Sequence, residues 1–331
     1  MSSAAILKVS DLKKHFPVRR GLLQLKVAEI KAVDGVSFTL GAGETLCLVG
    51  ESGCGKSTVG RLILRLIDPT SGSIAFNGRD ITALPRQEMR RQRKALQIVF
   101  QDPYASLNPR LTAGTIVGEP LENFFPLTRS EREQRVRELL ARVGLGGDAA
   151  HKYPFEFSGG QRQRLGLARA LALAPALLVA DEPVSAHDVS VQAQILDLMR
   201  QLKERTGTAI VLITHSLGLV AEMAQRVVIM YGGRKVEEAP VAQLFARPAH
   251  PYTRGLIASI ARGKAGARAR RLNEIPGMVP SLREPILGCA FAERCTFAFE
   301  RCHRESPRLR DVAGEAGHRA ACLRLEQVLA S

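Results

Sequence analysis

The segment Gly50-Glu-Ser-Gly-Cys-Gly-Lys56-Ser57 constrains the fold more than any other stretch of the chain. It satisfies the pattern G-x-x-x-x-G-K-[ST] without mismatch. The apolar run Thr45-Leu-Cys-Leu-Val49 precedes it, and apolar residues at helical spacing follow from Val59 to Ile67. A buried strand, a glycine turn and a helix, in that order, present backbone N–H groups and a helix dipole to a phosphate. Lys56 is then expected at the β- and γ-phosphates, with the Ser57 hydroxyl on Mg²⁺. The expected cradle comprises Gly50, Glu51, Ser52, Gly53, Cys54, Gly55, Lys56, Ser57 and Thr58.

Two further motifs extend this chemistry. Leu177-Leu-Val-Ala-Asp181-Glu182-Pro183 lies 125 residues after Lys56 and delivers two acids at the tip of an apolar strand. Asp181 is expected to hold Mg²⁺, and Glu182 to act as general base on the attacking water. Phe157-Ser158-Gly159-Gly160-Gln161-Arg-Gln-Arg164 opens a helical run from Leu165 to Leu173. Ser158, Gly159, Gly160 and Gln161 form a second phosphate-binding helix start. Two such starts, about 100 residues apart, suggest that two chains share each nucleotide.

Composition narrows the setting. The 331 residues carry 47 Lys and Arg against 32 Asp and Glu, a formal charge of +15. That excess suits an anionic partner (nucleic acid, phospholipid headgroups or a phosphorylated ligand) or simply an arginine-rich solvated surface. Trp is absent and Tyr numbers only 4, so aromatics for stacking on exposed bases are scarce. The longest apolar run, Ala170 to Ala180, is interrupted by Pro175 and falls short of the roughly 18 residues a spanning helix requires. The first residues lack a basic start followed by an apolar core, so a cytoplasmic protein without a secretory signal is expected.

Along the chain, Ile6–Val9 and Val36–Leu40 read as strands, and 86–170 reads as mostly helical. Ser130-x-x-Glu133 reads as a capping box for a helix with apolar face Val136, Leu139, Leu140 and Val143. Strands return at Leu177–Ala180, Ala209–Ile213 and Val227–Met230, and 262–271 reads as a linker. Four of the six cysteines, Cys289, Cys295, Cys302 and Cys322, cluster near the end at spacing C-x₅-C-x₆-C-x₁₉-C.

The three motifs together resemble the ABC ATPases. The resemblance implies an α/β P-loop NTPase core with an inserted helical subdomain at about 102–170, within an ATP-binding domain at 1–260. A small Cys-rich extension at 261–331 would follow. It further implies Gln101 as the Q-loop glutamine at Mg²⁺ and the γ-phosphate, and His215 as the switch histidine. Ser185-Ala-His187-Asp188 matches the D-loop, with Asp188 near the nucleotide, and Phe16 is the candidate for stacking on adenine. His187 and Ser216 stand where that family commonly has leucine and aspartate, which puts rate and coupling in doubt.

A narrower resemblance, to the ATP-binding subunits of dipeptide and oligopeptide importers, rests on Gln101-Asp-Pro-Tyr-Ala-Ser-Leu-Asn-Pro109, Asp181-Glu-Pro-Val-Ser and His250-Pro-Tyr252. Phe16-Pro-Val-Arg-Arg-Gly21 is closer to the second of the two ATPases such importers carry. It implies ATP and Mg²⁺, a second ATPase subunit of a related chain, two permease subunits and an extracytoplasmic solute-binding protein. The protein would sit peripherally on the cytoplasmic face of a bacterial plasma membrane. Nickel and glutathione importers share the pattern. The +15 charge keeps a soluble nucleic-acid-acting ABC protein as an alternative, but one P-loop and no sustained heptads argue against it, so no nucleic-acid partner is expected. The four late thiols suit zinc or a [4Fe–4S] cluster. The missing C-x₂₋₄-C knuckles, with the clusters known in some peptide-importer ATPases, favour iron–sulfur.

Overall fold

A computed structural model describes residues 5–21, 25–184, 189–261 and 275–331. The expected linker at 262–271, and residues 185–188 with His187 and Asp188, lie outside them. The described residues divide into two compact units, one formed by 41–44 and 83–212, the other by 5–40, 45–82 and 213–331.

The first passage through the larger unit lays down β1 (Ala5–Arg20), β2 (Leu25–Gly41), β3 (Thr45–Val49), α1 (Lys56–Ile63), β4 (Ser71–Phe76) and β5 (Arg79–Asp80). β1 pairs antiparallel with β4, Leu7 opposite Phe76 and Val9 opposite Ile74, and all four side chains are buried. Every residue of β3 is buried, as expected for a parallel strand covered on both faces. The helix after the glycine turn is shorter than its apolar pattern suggests and stops at Ile63. Arg65 takes a left-handed φ of 50°, and Leu66 N–H closes back on the Arg61 carbonyl at 2.9 Å, a Schellman ending without glycine. The Arg65 guanidinium fixes this turn through the Ile81 carbonyl at 2.6 Å, the Thr82 carbonyl and Asp68.

The smaller unit contains α2 (Arg86–Gln92), β6 (Leu96–Val99), α3 (Pro103–Ser106), α4 (Ala113–Phe124), α5 (Arg129–Arg142), α6 (Gly159–Leu171), β7 (Leu177–Asp181) and α7 (Val189–Thr206). It also contains most of β8 (Ala209–Thr214). β6 and β7 run parallel, Leu96 beside Leu177, and β7 and β8 are buried throughout. The capping box of α5 differs from the one expected. Thr128 and Glu131, not Ser130 and Glu133, exchange hydrogen bonds at its start. Glu133 instead pairs with Arg129 one turn away.

The chain then completes the larger unit with α8 (Leu217–Met223), β9 (Arg226–Tyr231), β10 (Arg234–Pro240), α9 (Val241–Ala246), α10 (Pro251–Ala261), α11 (Glu300–Arg304), β11 (Arg310–Asp311), β12 (Arg319–Ala320) and α12 (Leu325–Ala330). β9 is parallel to β3, and β10, β12 and β11 extend the sheet antiparallel in that order. Among the described residues no helix is long and apolar enough to cross a membrane.

A buried charged cluster fastens the last hairpin to this unit. His318, wholly buried, donates from Nε2 to Glu237 at 2.7 Å and from Nδ1 to Glu315 at 2.5 Å. Donation from both ring nitrogens requires the imidazolium. Burial alone would lower its pKa, but the bonds to Glu237 and Glu315 outweigh burial and raise it. Glu237 also accepts the N–H groups of Ala249 and His250 at 2.8 and 2.9 Å, so the same carboxylate sets the start of α10.

Removing the cation leaves Glu237 buried without its counter-charge. His318→Ala should cost about 3–5 kcal/mol in denaturant unfolding at pH 6. Because the folded pKa is raised, this stabilisation is complete below the ordinary imidazole value of about 6.5 and is lost as pH rises through the folded value. The gap between wild type and variant should therefore be smaller at pH 9 than at pH 6.

Candidate functional site

The phosphate loop is built by steric necessity. Gly53 and Gly55 have φ of 80° and 101°, a region that costs other residues about 1–2 kcal/mol. A Cβ on Gly50 would lie 2.2 Å from the Met230 carbonyl oxygen of β9, and one on Gly55 2.1 Å from the Ala32 carbonyl oxygen of β2. The loop backbone thus lies directly on two strands, and Gly233 N–H donates to the Cys54 carbonyl at 3.2 Å. α1 opens at Lys56, so the first N–H groups of the helix, without intrahelical partners, face the loop's concavity. Lys56 is 5% exposed. Its Nζ donates to the Gly50 and Glu51 carbonyl oxygens at 2.6 and 2.9 Å. A loop this close to neighbouring backbone, with a buried ammonium folded across it, fits a polyphosphate.

In the same unit, His215 follows β8 and is exposed, and Ser216 N–H donates to the Thr214 hydroxyl at 3.0 Å at the start of α8. Phe16 lies on β1, 36% exposed, with Lys14 Nζ 5.1 Å from its ring centroid. An exposed ring carrying a cation can stack on a flat heterocycle.

The acidic pair and Gln101 belong to the other unit. Asp181 ends β7 and is buried. Glu182 follows with a left-handed φ of 44°, unusual outside glycine and asparagine, and this turns its side chain off the strand line. Gln101 Nε2 donates to Glu182 Oε2 at 2.9 Å. The structure therefore brings these two predicted residues into contact. Ser158 caps α6: its hydroxyl oxygen accepts the Gln161 N–H at 3.3 Å, and Gln161 Oε1 accepts the Ser158 N–H at 2.9 Å. This cap consumes a lone pair of Ser158 but leaves its O–H able to donate to a phosphate oxygen.

Two residues whose role no motif signals, Tyr252 and Arg294, reach this loop. The Tyr252 hydroxyl accepts the Glu51 N–H of the phosphate loop at 2.8 Å, and Arg294 grips the Glu51 carboxylate. The His-Pro-Tyr signal acquires a physical basis here. His250 Nδ1 accepts the Tyr252 N–H at 3.1 Å, Pro251 starts α10, and Tyr252 reaches the loop. Burial holds His250 down to about 4, so the ring stays neutral and able to accept.

The iron–sulfur expectation is corrected. Cys289, Cys295, Cys302 and Cys322 are free and lie within electrostatic reach of one another. Among the described residues, however, no three His, Cys, Asp or Glu side chains are grouped to hold a metal ion. Burial pushes Cys289 and Cys322 up to about 11. Phe291 packs on Tyr231 of β9 and Tyr252 of α10, with centroids 5.2 and 5.4 Å away, so the core of this segment is borrowed.

Two family models match the chain: ABC transporter over residues 33–185, and oligopeptide/dipeptide transporter, C-terminal region, over residues 236–302. A probable peptide ABC transporter ATP-binding protein, y4tS, of Sinorhizobium fredii is 53% identical over 97% of this chain and 90% of its own length. The oligopeptide transport ATP-binding protein AppF of Bacillus subtilis is 48% identical over 96% of each chain. Among solved structures, the dimeric ATP-binding cassette MJ0796 bound to ADP and Pi aligns with a TM-score of 0.64 at 30% identity, over 71% of this chain and 98% of that one.

The two left-handed glycines of the loop should respond differently to a methyl group. A Cβ on Gly53 meets nothing within 4 Å, so Gly53→Ala should weaken Mg-ATP binding no more than about 30-fold, the strain of its φ alone. Gly55→Ala must also displace the Ala32 carbonyl and should abolish binding in a fluorescent-nucleotide titration.

Proposed function

The chain belongs to the ATP-binding proteins of ABC transporters, in the oligopeptide and dipeptide branch, and from that premise we propose that it hydrolyses ATP to drive peptide import. The observation that carries this reading is the phosphate loop, with Lys56 folded over it and the helix start of α1 beneath it. Lys56 exchanges its two loop carbonyls for β- and γ-phosphate oxygens when nucleotide enters. Ser57, Asp181 and Gln101 would hold Mg²⁺, which would supply neutralising charge to the phosphates.

Glu182 orients the attacking water and takes its proton as the oxygen bonds to the γ-phosphorus and the bond to ADP breaks. Gln101 holds the Glu182 carboxylate at 2.9 Å. His215 steadies the γ-phosphate and Phe16 stacks on adenine. Ser158–Gln161, with Asp188, complete the site of a second ATPase subunit, so each nucleotide lies between two chains. Residues 1–260 form the ATP-binding domain and 261–331 its extension.

Coupling to the permeases runs through the surface beside Gln101. Tyr104, Tyr153 and Phe155 are all exposed, with the rings of Tyr153 and Phe155 stacked at 5.6 Å. Arg162 lies over Tyr104 at 4.3 Å and donates to the Pro154 and Phe155 carbonyls, joining them into one aromatic face. Exposed aromatic clusters of this kind are interface anchors, here for a cytoplasmic segment of a permease. The protein accordingly works at the cytoplasmic side of the membrane, with a solute-binding protein acting through the permeases.

Glu182→Gln should retain Mg-ATP binding and lose at least about 100-fold in turnover, whereas Lys56→Ala should lose both. Undiminished ATPase by Glu182→Gln would overturn the general-base role. In vesicles holding the cognate permeases, ATP-dependent uptake of labelled dipeptide tests the transport reading, and uptake of nickel alone would replace it.

A further inference from the structure

The second residue of the phosphate loop is held by residues from far along the chain. Arg294 Nη1 donates to Glu51 Oε2 at 2.7 Å and Nη2 to Oε1 at 3.0 Å. The same guanidinium donates to the Tyr231 hydroxyl at 3.1 Å, the Ile275 carbonyl at 2.7 Å and the Pro276 carbonyl at 3.1 Å. All five N–H donors of the fork are therefore engaged, and the Arg294 side chain is only 5% exposed. From α10, Tyr252 accepts the backbone N–H of the same Glu51. Its ring is fixed against Tyr231 at 4.7 Å and Phe291 at 5.4 Å.

This arrangement answers a difficulty internal to the loop. Glu51 is itself a carboxylate at the rim of a site meant for polyphosphate, and like charges at such range oppose binding. A bidentate guanidinium cancels that charge and fixes the carboxylate plane at once. A lysine could do only the first, because an ammonium is a point donor.

We infer that Arg294 is a positioning residue for nucleotide: it neutralises Glu51 and, with Tyr252, holds the phosphate loop in its nucleotide-ready shape. The inference rests on reading Gly50–Thr58 as the ATP site. It makes the Cys-bearing C-terminal segment part of the nucleotide machinery.

The test uses full-length protein, equilibrium Mg-ATP titration and steady-state ATPase kinetics. Arg294→Met should raise KM and Kd for Mg-ATP about 10-fold while kcat changes less than about 3-fold, the pattern of lost uniform binding. Adding Glu51→Gln to Arg294→Met should recover most of that affinity, because the unpaired carboxylate is what repels the phosphates. Tyr252→Phe, which keeps the ring, should raise KM about 3-fold. Unchanged binding by Arg294→Met overturns the inference. So does weak binding that Glu51→Gln fails to rescue, since the pair is then only a structural tie. If Arg294→Met does not fold, Arg294→Gln decides: raised KM that Glu51→Gln restores supports the inference, and unchanged or unrescued KM overturns it. Wild-type protein that binds no Mg-ATP removes the underlying reading of the loop and the inference with it.

Discussion

A loop that must keep most of its amide hydrogens ready for an anion can spend few of them on holding itself in shape; here Cys54 N–H closes on the Glu51 carbonyl at 3.3 Å and Glu51 N–H on Tyr252. Its conformation has to be imposed from outside, and much of the larger unit serves that constraint. The Met230 and Ala32 carbonyls press against Gly50 and Gly55 so closely that no side chain fits between. Tyr252 and Arg294 hold Glu51 from the other side. Tyr252 is in turn placed by α10, and the Ala249 and His250 N–H groups just before that helix are held by Glu237, itself matched by buried His318. The site therefore rests on a relay of buried polar contacts reaching into the final hairpin.

How much of this could be read beforehand follows from the range of each interaction. Strand, glycine turn and helix around Lys56 are written within some twenty residues, and the structure has β3 and α1 where the sequence places them. The acid pair after β7 was equally local, and its contact with Gln101 follows from β6 and β7 being neighbours. Arg294 was invisible because nothing around it distinguishes it from the other basic residues of an arginine-rich tail. The misplaced cap on α5 is of another kind. Thr128-x-x-Glu131 and Ser130-x-x-Glu133 satisfy the same rule, so the spacing by itself does not choose between them, and α5 starts from the earlier one. The packing of Phe291 on Tyr231 of β9 and Tyr252 of α10 joins positions far apart in the chain, which no local spacing records.

The positive charge also reads differently once its partners are visible. Arg65, Arg162 and Arg294 each donate to backbone carbonyls at bends where the chain cannot satisfy itself. Part of the basic excess is thus internal bracing rather than a surface awaiting an anion. The buried histidines show the same division: His318 works as a cation between carboxylates, whereas His250 works as a neutral acceptor. Their folded states respond to pH in opposite senses, His250 being compromised by acid and His318 by alkali.

The Glu51–Arg294 pair spans 243 positions of chain, and that separation has a consequence for biogenesis. Ribosomes extend chains at about 5–20 residues per second, so the loop leaves the exit tunnel roughly 12–50 s before the arginine that secures it. Nascent chains would expose an unbraced loop for that interval, with its carboxylate facing solvent. Full affinity for nucleotide would then be acquired only near release of the chain.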